Sequence, residues 1–362
     1  MNAGFDLDQY LSDGVDVIVK DALKASLKNP KETAFLLQYA LHAKRAETAR
    51  KNHAKAGRHV PSFLIASITS RCNLHCAGCY ARANSICHDG ADDNLLSDAE
   101  WDSIFVQAKE IGVSFVLLAG GEPMLRRGVM ERASSHPEIL FPIFTNGTLL
   151  GEKTLELLDS HRNLIPIISV EGSQEQTDAR RGAGTYQKLL ETMTALQSRG
   201  VFFGASVTVT SENLAFVTSD AFLNDLRTRG CKIAFYVEYV PADSGTESLA
   251  PGDSERVYLT CRLDELRARP DAMVYVAFPG DEQYAGGCMA AGRGFFHINP
   301  HGGAEPCPFS PVSDTSLKDV SLLDALDSPL FVRLRSSELL AEHHDGACAL
   351  FGREDEVRGM IG

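Results

Sequence analysis

The stretch Cys72-Asn73-Leu74-His75-Cys76-Ala77-Gly78-Cys79 constrains this chain more than any other. It sets three cysteines at C-x3-C-x2-C directly after an apolar run, Phe63 to Thr69, that reads as a strand. Three thiolates on one short loop can hold three corners of a cubane iron–sulfur cluster. The fourth iron then lacks a protein ligand and can take a small chelating molecule. Soft, anionic thiolates suit iron. A structural zinc site would ask for four ligands in paired knuckles, and no second C-x2-C occurs in the chain.

The chain has 362 residues and a net charge of −13. That balance opposes a general nucleic-acid role, which needs concentrated Lys and Arg. The basic stretch Lys44 to Arg58 reads as a solvated helix face. No apolar run reaches about 18 residues, so no membrane helix is expected. The acidic start MNAGFDLDQYLSDG lacks a signal-peptide pattern, which implies a cytoplasmic protein. Nine cysteines in a reducing compartment read as metal ligands or buried thiols. Cys87, Cys231 and Cys261 default to buried small hydrophobes.

Residues 5 to 57 read as two helices broken at Asn29-Pro30. From residue 62, six apolar runs alternate with helical stretches. The runs are Phe63–Thr69, Val113–Leu118, Leu140–Thr145, Ile165–Val170, Phe202–Thr208 and Ile233–Val240. The helices between them are expected at Asp98–Ile111, Arg126–Ser134, Glu152–Asp159, Thr185–Arg199 and Asn213–Arg229, the first opened by a Ser97/Glu100 capping box. This alternation predicts an α/β fold, a parallel sheet with crossover helices and a site at the carboxyl ends of the strands. After residue 245 the regularity fades into a smaller α+β segment.

Further motifs fall at the expected strand ends. Gly120-Gly121-Glu122-Pro123 closes the second strand, Thr145-Asn146-Gly147 the third, and Ser169-Val170-Glu171-Gly172 the fourth, with Arg181 after it. Glycines let a backbone approach a ligand closely, a carboxylate suits an ammonium group, and a guanidinium fork suits a carboxylate. On the sixth strand, alternation puts Tyr236 and Glu238 on one face, as candidates for substrate contact if that face lines the interior. A second cysteine set follows: Cys288, then Gly302-x4-Cys307, then Cys348. A glycine turn there can bring two strand-end cysteines together.

These motifs together resemble the radical S-adenosylmethionine (SAM) superfamily, in its subgroup with a C-terminal SPASM/twitch-like auxiliary cluster domain, which includes sulfatase-maturating and peptide-modifying enzymes. The resemblance implies an open (β/α)6 partial barrel over residues 60–245, a helical extension over 1–59 and a twitch-like auxiliary-cluster domain over 246–362. It implies a 4Fe–4S cluster on Cys72, Cys76 and Cys79, with SAM on the open iron. SAM would meet Gly120, Gly121, Glu122 and Pro123 through its amino group, Asn146 nearby, and Ser169 and Arg181, with Glu171 where an aspartate is usual. Arg180 competes with Arg181 for its role. The family usually has an aromatic residue just before the third cysteine; here Gly78 stands there and Tyr80 follows.

Cys288, Cys307 and Cys348 would hold an auxiliary cluster whose fourth position is open to substrate or filled by His297, His301, Glu305, or an asparagine or aspartate elsewhere. The implied activity is reductive SAM cleavage to a 5′-deoxyadenosyl radical and hydrogen abstraction, oxidising or crosslinking a peptide side chain or, alternatively, transforming a small metabolite. A reductant such as a flavodoxin or ferredoxin would supply the electron. An iron–sulfur electron carrier without SAM chemistry is a further alternative, opposed by the strand-end motifs.

Overall fold

A computed structural model describes residues 17–361 apart from 18, 28, 91, 93, 243–244, 270–272 and 341–347, with the side chain of 283 also left out. Most of the first expected helix lies outside the described residues; positions 19–26 are helical. The second helix, α1 (Pro30–Lys55), starts where Pro30 fixes the first turn and the Asn29 side chain accepts from the Glu32 N–H.

Strands β1 (Phe63–Ser67), β2 (Phe115–Ala119), β3 (Phe141–Thr145), β4 (Leu164–Ser169), β5 (Gly204–Val209) and β6 (Ile233–Glu238) then run parallel in sequence order. The helices are α2 (Tyr80–Ala83), α3 (Asp98–Ile111), α4 (Arg127–Ser134), α5 (Glu152–Ser160), α6 (Gln174–Arg181), α7 (Thr185–Ser198), α8 (Leu214–Val217) and α9 (Asp220–Thr228). The Ser97/Glu100 capping box opens α3, and Gly112, at φ 96°, ends it. The single helix expected over Asn213–Arg229 is instead two, because Ser219 accepts from the Phe222 N–H and caps a new start. The Gln174–Arg181 helix is one the periodicity did not announce, since its residues are nearly all polar.

The sheet is an open, curled half-barrel of nine strands in the order β7-β6-β5-β4-β3-β2-β1-β8-β9. Helix α10 (Asp253–Arg267) leads to β7 (Val274–Phe278), which pairs in parallel with β6. Strand β8 (His297–Ile298) pairs in parallel with β1 at the opposite edge, and β9 (Ala304–Glu305) folds back antiparallel on β8. The C-terminal segment thus hydrogen-bonds to both free edges of the six-stranded sheet, protecting them from pairing with other chains. It ends in α11 (Leu322–Ala325), α12 (Pro329–Ser336) and α13 (Glu354–Gly359).

Alternation sorts the strand side chains. Val116, Leu118, Phe141, Ile143, Ala205, Val207, Ala234 and Tyr236 face the helices, packing with Trp101, Phe105, Met130, Leu158, Leu196 and Leu223. Leu36, Tyr39 and Ala43 of α1 meet Ile165, Ile167, Phe144 and Phe235 on the other face. Tyr39 is fully buried, contributing about 2 kcal/mol on area, and its hydroxyl donates to the Ser114 carbonyl at 2.7 Å. Arg50, in the basic stretch expected to be solvated, turns inward and donates to Ser114 Oγ at 3.0 Å. Helix α1 therefore closes the N-terminal ends of the strands and leaves the carboxyl ends open. Among the described residues, no helix is long and apolar enough to cross a membrane.

Candidate active site

The three cysteines of the C-x3-C-x2-C loop follow β1 at the carboxyl edge of the sheet, each half-buried. The loop is held from both sides. Gly120 and Gly121 close on its backbone: the Gly121 N–H donates to the Thr69 carbonyl and the Glu122 N–H to the Arg71 carbonyl, both at 2.8 Å. A Cβ at Gly121 would lie 2.0 Å from the Arg71 carbonyl oxygen, so the pair serves close approach to the cysteine loop itself.

Glu122 is buried and accepts from the Met124 N–H at 3.0 Å, Thr145 Oγ1 at 2.7 Å and the Asn146 N–H at 2.7 Å. Burial pushes its carboxyl up to about 7, and these hydrogen bonds only partly offset it. Pro123 begins a short 3-10 turn, Pro123–Leu125. Asn146 Nδ2 donates to Asn73 Oδ1 at 2.8 Å and lies 3.9 Å from Cys72 Sγ.

On the other side, Glu171 Oε1 accepts from Arg180 Nη1 and from Arg181 Nε, both at 2.7 Å. Burial raises the Glu171 carboxyl, but the two guanidinium groups outweigh it and hold it low. Its second oxygen is buried and without a hydrogen-bond partner among the described residues. The two arginines divide their work. Arg180 binds the Ala77 carbonyl at 3.2 Å and Thr208 Oγ1 at 2.6 Å, anchoring α6 to the loop. Arg181 Nη1 instead lies 4.0 Å from Cys76 Sγ. Ser169 ends β4, half-buried, on the same strand face as Ile165 and Ile167.

Tyr236 and Glu238 are turned away from this interior. The Tyr236 hydroxyl donates to the Val217 carbonyl at 2.9 Å in the helix layer, and Glu238 accepts from Arg256 Nε of α10 at 3.0 Å. The residue of this strand end that reaches the site is Tyr239, which abuts Gly78.

Cys87, read from sequence as a buried hydrophobe, is buried and neighbours Cys72, whose thiol it helps hold toward thiolate. Cys231 is buried, whereas Cys261 is exposed on α10, against the expectation.

The second cysteine set also comes together. Cys288 and Cys307 are buried and Cys348 half-buried. Burial raises the Cys288 and Cys307 thiols, and the neighbouring Cys348 acts on both in the same direction. Tyr80, beside Cys79, packs on Phe309, two residues beyond Cys307, with ring centroids 4.8 Å apart.

Of the residues considered for the fourth position, His297 and Glu305 engage each other at 2.7 Å, and His297 Nε2 meets Ser67 Oγ at 2.8 Å. His301 faces Asp92 at 3.4 Å. A buried carboxylate that sequence reading missed, Glu282, accepts from the Met289 N–H, next to Cys288 in the chain, at 3.2 Å.

Among the described residues, no three His, Cys, Asp or Glu side chains converge tightly enough for a single metal ion. A cubane spreads its thiolates around a four-iron core and asks for a wider frame. Free thiols with N–H donors from Asn146 and Arg181 beside them are a donor set that fits such a cluster.

Residues 66–215 match the family model described as the radical SAM superfamily. Residues 66–215 therefore form a radical SAM domain. Curated relatives agree. The chain is 25% identical over 311 residues to an AdoMet-dependent heme synthase of Methanosarcina barkeri, covering 78% of this chain and 87% of that protein. It is 27% identical over 296 residues to a PqqA peptide cyclase of Gluconobacter oxydans, covering 78% and 81%. The crystal structure of Streptococcus suis SuiB bound to S-adenosylmethionine superposes with a TM-score of 0.67 at 19% identity, over 91% of this chain and 80% of that one, a likeness of fold. This radical SAM protein is an enzyme, and a 4Fe–4S cluster with SAM is its family's cofactor.

Proposed function

We propose that this radical SAM enzyme modifies a peptide or protein side chain with the help of a second, auxiliary cluster. Cys72, Cys76 and Cys79 would hold the SAM-binding cluster, and Cys288, Cys307 and Cys348 the auxiliary one. When bound, the first cluster supplies the electron that cleaves SAM to the 5′-deoxyadenosyl radical that abstracts hydrogen from substrate. The chain's own residues then bind and orient. The Glu122 carboxylate suits the SAM ammonium, and Arg181, oriented by Glu171, suits its carboxylate. Asn146 steadies the loop at Asn73, and Ser169 presents a hydroxyl at the end of β4. Helix α1 shuts the opposite end of the half-barrel, so substrate enters at the carboxyl ends of the strands.

The observation that carries the two-cluster reading is the Tyr80–Phe309 contact, which couples the first cysteine loop to the segment after Cys307. The peptide reading is supported by the relative that is a PqqA peptide cyclase. A small reductant protein of flavodoxin or ferredoxin type would deliver the electron, in the cytoplasm. The functional division is a helical extension over 1–59, a SAM-cleaving barrel over 60–245 and an auxiliary-cluster unit over 246–362.

The test is anaerobic reconstitution, then incubation with SAM, dithionite and candidate precursor peptides, read by mass spectrometry. The expected result is 5′-deoxyadenosine together with a peptide mass loss in hydrogen units. Cys76→Ala abolishes both. Cys307→Ala keeps SAM cleavage and loses the peptide product. Full product from Cys307→Ala overturns the auxiliary role, and a product from a small metabolite but from no peptide overturns the peptide reading.

A further inference from the structure

The first cysteine loop has side-chain donors at two of its three thiols. Asn146 Nδ2 lies 3.9 Å from Cys72 Sγ, and Arg181 Nη1 lies 4.0 Å from Cys76 Sγ. Among the described residues, no side chain donates to the Cys79 thiol. The neighbour on that side is Tyr239. A Cβ placed on Gly78, the residue directly before Cys79, would have the Tyr239 hydroxyl oxygen as its nearest atom, at 2.4 Å, with Cζ at 3.0 Å. The phenol therefore meets the loop with its polar end.

Both sides of this contact are held in place. The Tyr239 N–H donates to the Val209 carbonyl at 2.9 Å, continuing the pairing of β5 and β6 by one step. Across from it, the Ala77 N–H donates to the Arg180 carbonyl at 2.8 Å, and the Ala77 carbonyl accepts from Arg180 Nε at 3.2 Å. Tyr239 is buried, and its hydroxyl has no hydrogen-bond partner among the described residues. Buried tyrosine hydroxyls usually find a partner, and an unmet one is costly; a phenylalanine would pack the same ring without that cost. A phenol here makes sense as a donor to whatever the adjoining thiols hold.

We propose that the Tyr239 hydroxyl donates to the sulfur at the Cys79 corner of the bound cluster, as a third donor beside Asn146 and Arg181. The proposal rests on the reading that Cys72, Cys76 and Cys79 hold that cluster. Hydrogen bonds to cluster sulfurs help set the reduction potential, since a donor stabilises the electron density added on reduction. Tyr239 thus raises the potential of the cluster, from a residue more than 150 positions further along the chain than the loop it acts on.

The experiment is an anaerobic redox titration of the full reconstituted chain, followed by electron paramagnetic resonance, without and with SAM. The signal that changes on adding SAM marks the first cluster and separates it from any second one. Tyr239→Phe is expected to keep the iron content of the parent and to move the midpoint of that signal to a more negative potential, already without SAM. The metal-free Tyr239→Phe protein is expected to melt no lower than the parent, because no protein hydrogen bond is lost. Tyr236→Phe serves as the comparison: its hydroxyl donates to the Val217 carbonyl in the helix layer, so it is expected to lower melting and leave the midpoint alone.

An unchanged midpoint in Tyr239→Phe overturns the proposal. So does a lower melting temperature of the metal-free variant, which would mean that the hydroxyl already has a partner in the protein. Weaker SAM binding with an unchanged SAM-free midpoint also overturns it, by placing the acceptor on SAM. A SAM-responsive signal that survives changing Cys72, Cys76 and Cys79 together to Ala overturns the first-cluster reading itself, whatever Tyr239 does.

Discussion

Tyr239 fills the space that a side chain at position 78 would need. Gly78 sits at φ 64°, and a Cβ built on it would lie 2.4 Å from the Tyr239 hydroxyl oxygen and 2.8 Å from Cε2. Tyr239 is 2% exposed, and its hydroxyl is buried without a hydrogen-bond partner among the described residues. A residue just beyond β6 thus supplies an aromatic ring next to Cys79, where the family usually carries one within the cysteine loop.

Gly78→Ala meets two penalties at once, the left-handed backbone and the clash with the Tyr239 ring. Together they are expected to cost about 2 kcal/mol of stability and to weaken SAM binding. Tyr239→Ala added to Gly78→Ala removes the clash but not the backbone strain, so only part of the loss returns. Chemical unfolding and anaerobic SAM titration of the single and double variants check this; an unaltered Gly78→Ala protein counts against the relationship.

Glu122 is expected to make SAM binding pH-dependent. Its carboxyl titrates near 7 in the folded chain against an ordinary value of 4.5. The folded state therefore binds more protons than the unfolded state between those values, so the Glu122 contribution to stability is present below pH 4.5 and is lost as pH rises through 7. The charged form is the one that suits the SAM ammonium, so SAM affinity should rise from pH 6 to pH 8. Glu122→Gln should flatten both the stability slope and the affinity profile, measured by urea unfolding and calorimetry across that range.

Glu171 acts in the opposite direction. Its carboxyl is held low by Arg180 and Arg181 in spite of burial. The stabilisation it gives is present above the ordinary carboxylate range and fades as pH falls through the folded-state value. Glu171→Ala leaves two guanidinium groups facing each other without a counter-charge and is expected to cost about 3 kcal/mol. Glu171→Asp should recover part of the stability, with the shorter arm losing one of the two hydrogen bonds. Melting curves at neutral and acid pH distinguish the variants.

His297 is expected to matter for folding and not for cluster loading. His297→Ala leaves Ser67 and Glu305 buried without their shared partner, a loss of about 2 kcal/mol. Iron content after reconstitution should match that of the parent protein. A loss of one iron would instead make His297 a ligand.

Much was legible along the chain because it is periodic or locally spaced. Strand β1, the capping box at Ser97 and Glu100, and the cysteine triplet all rest on neighbours in sequence, where rise per residue and turn chemistry fix geometry. The six β/α units followed from alternation, and handedness left few ways to arrange them.

Other features needed distant segments to meet. Strands β7 and β8 reach the two edges of the sheet from a segment that reads as separate, because edge pairing depends on where the sheet ends. The direction of Tyr236 was unreadable because period-2 alternation gives two faces but does not say which one is concave. Cys87 is buried as its sequence reading expects, but its closeness to Cys72 arises only through the fold of the intervening loop. Glu282 lies in an unremarked Gly/Pro stretch, and only its burial sets it apart from a surface acid. The sequence by itself determined the chemistry class, through the thiol spacing and strand-end motifs. Tertiary structure alone decided that Tyr239 meets Gly78 and that Glu171 ties Arg180 and Arg181 together, since such contacts are set by distance in space and not along the chain.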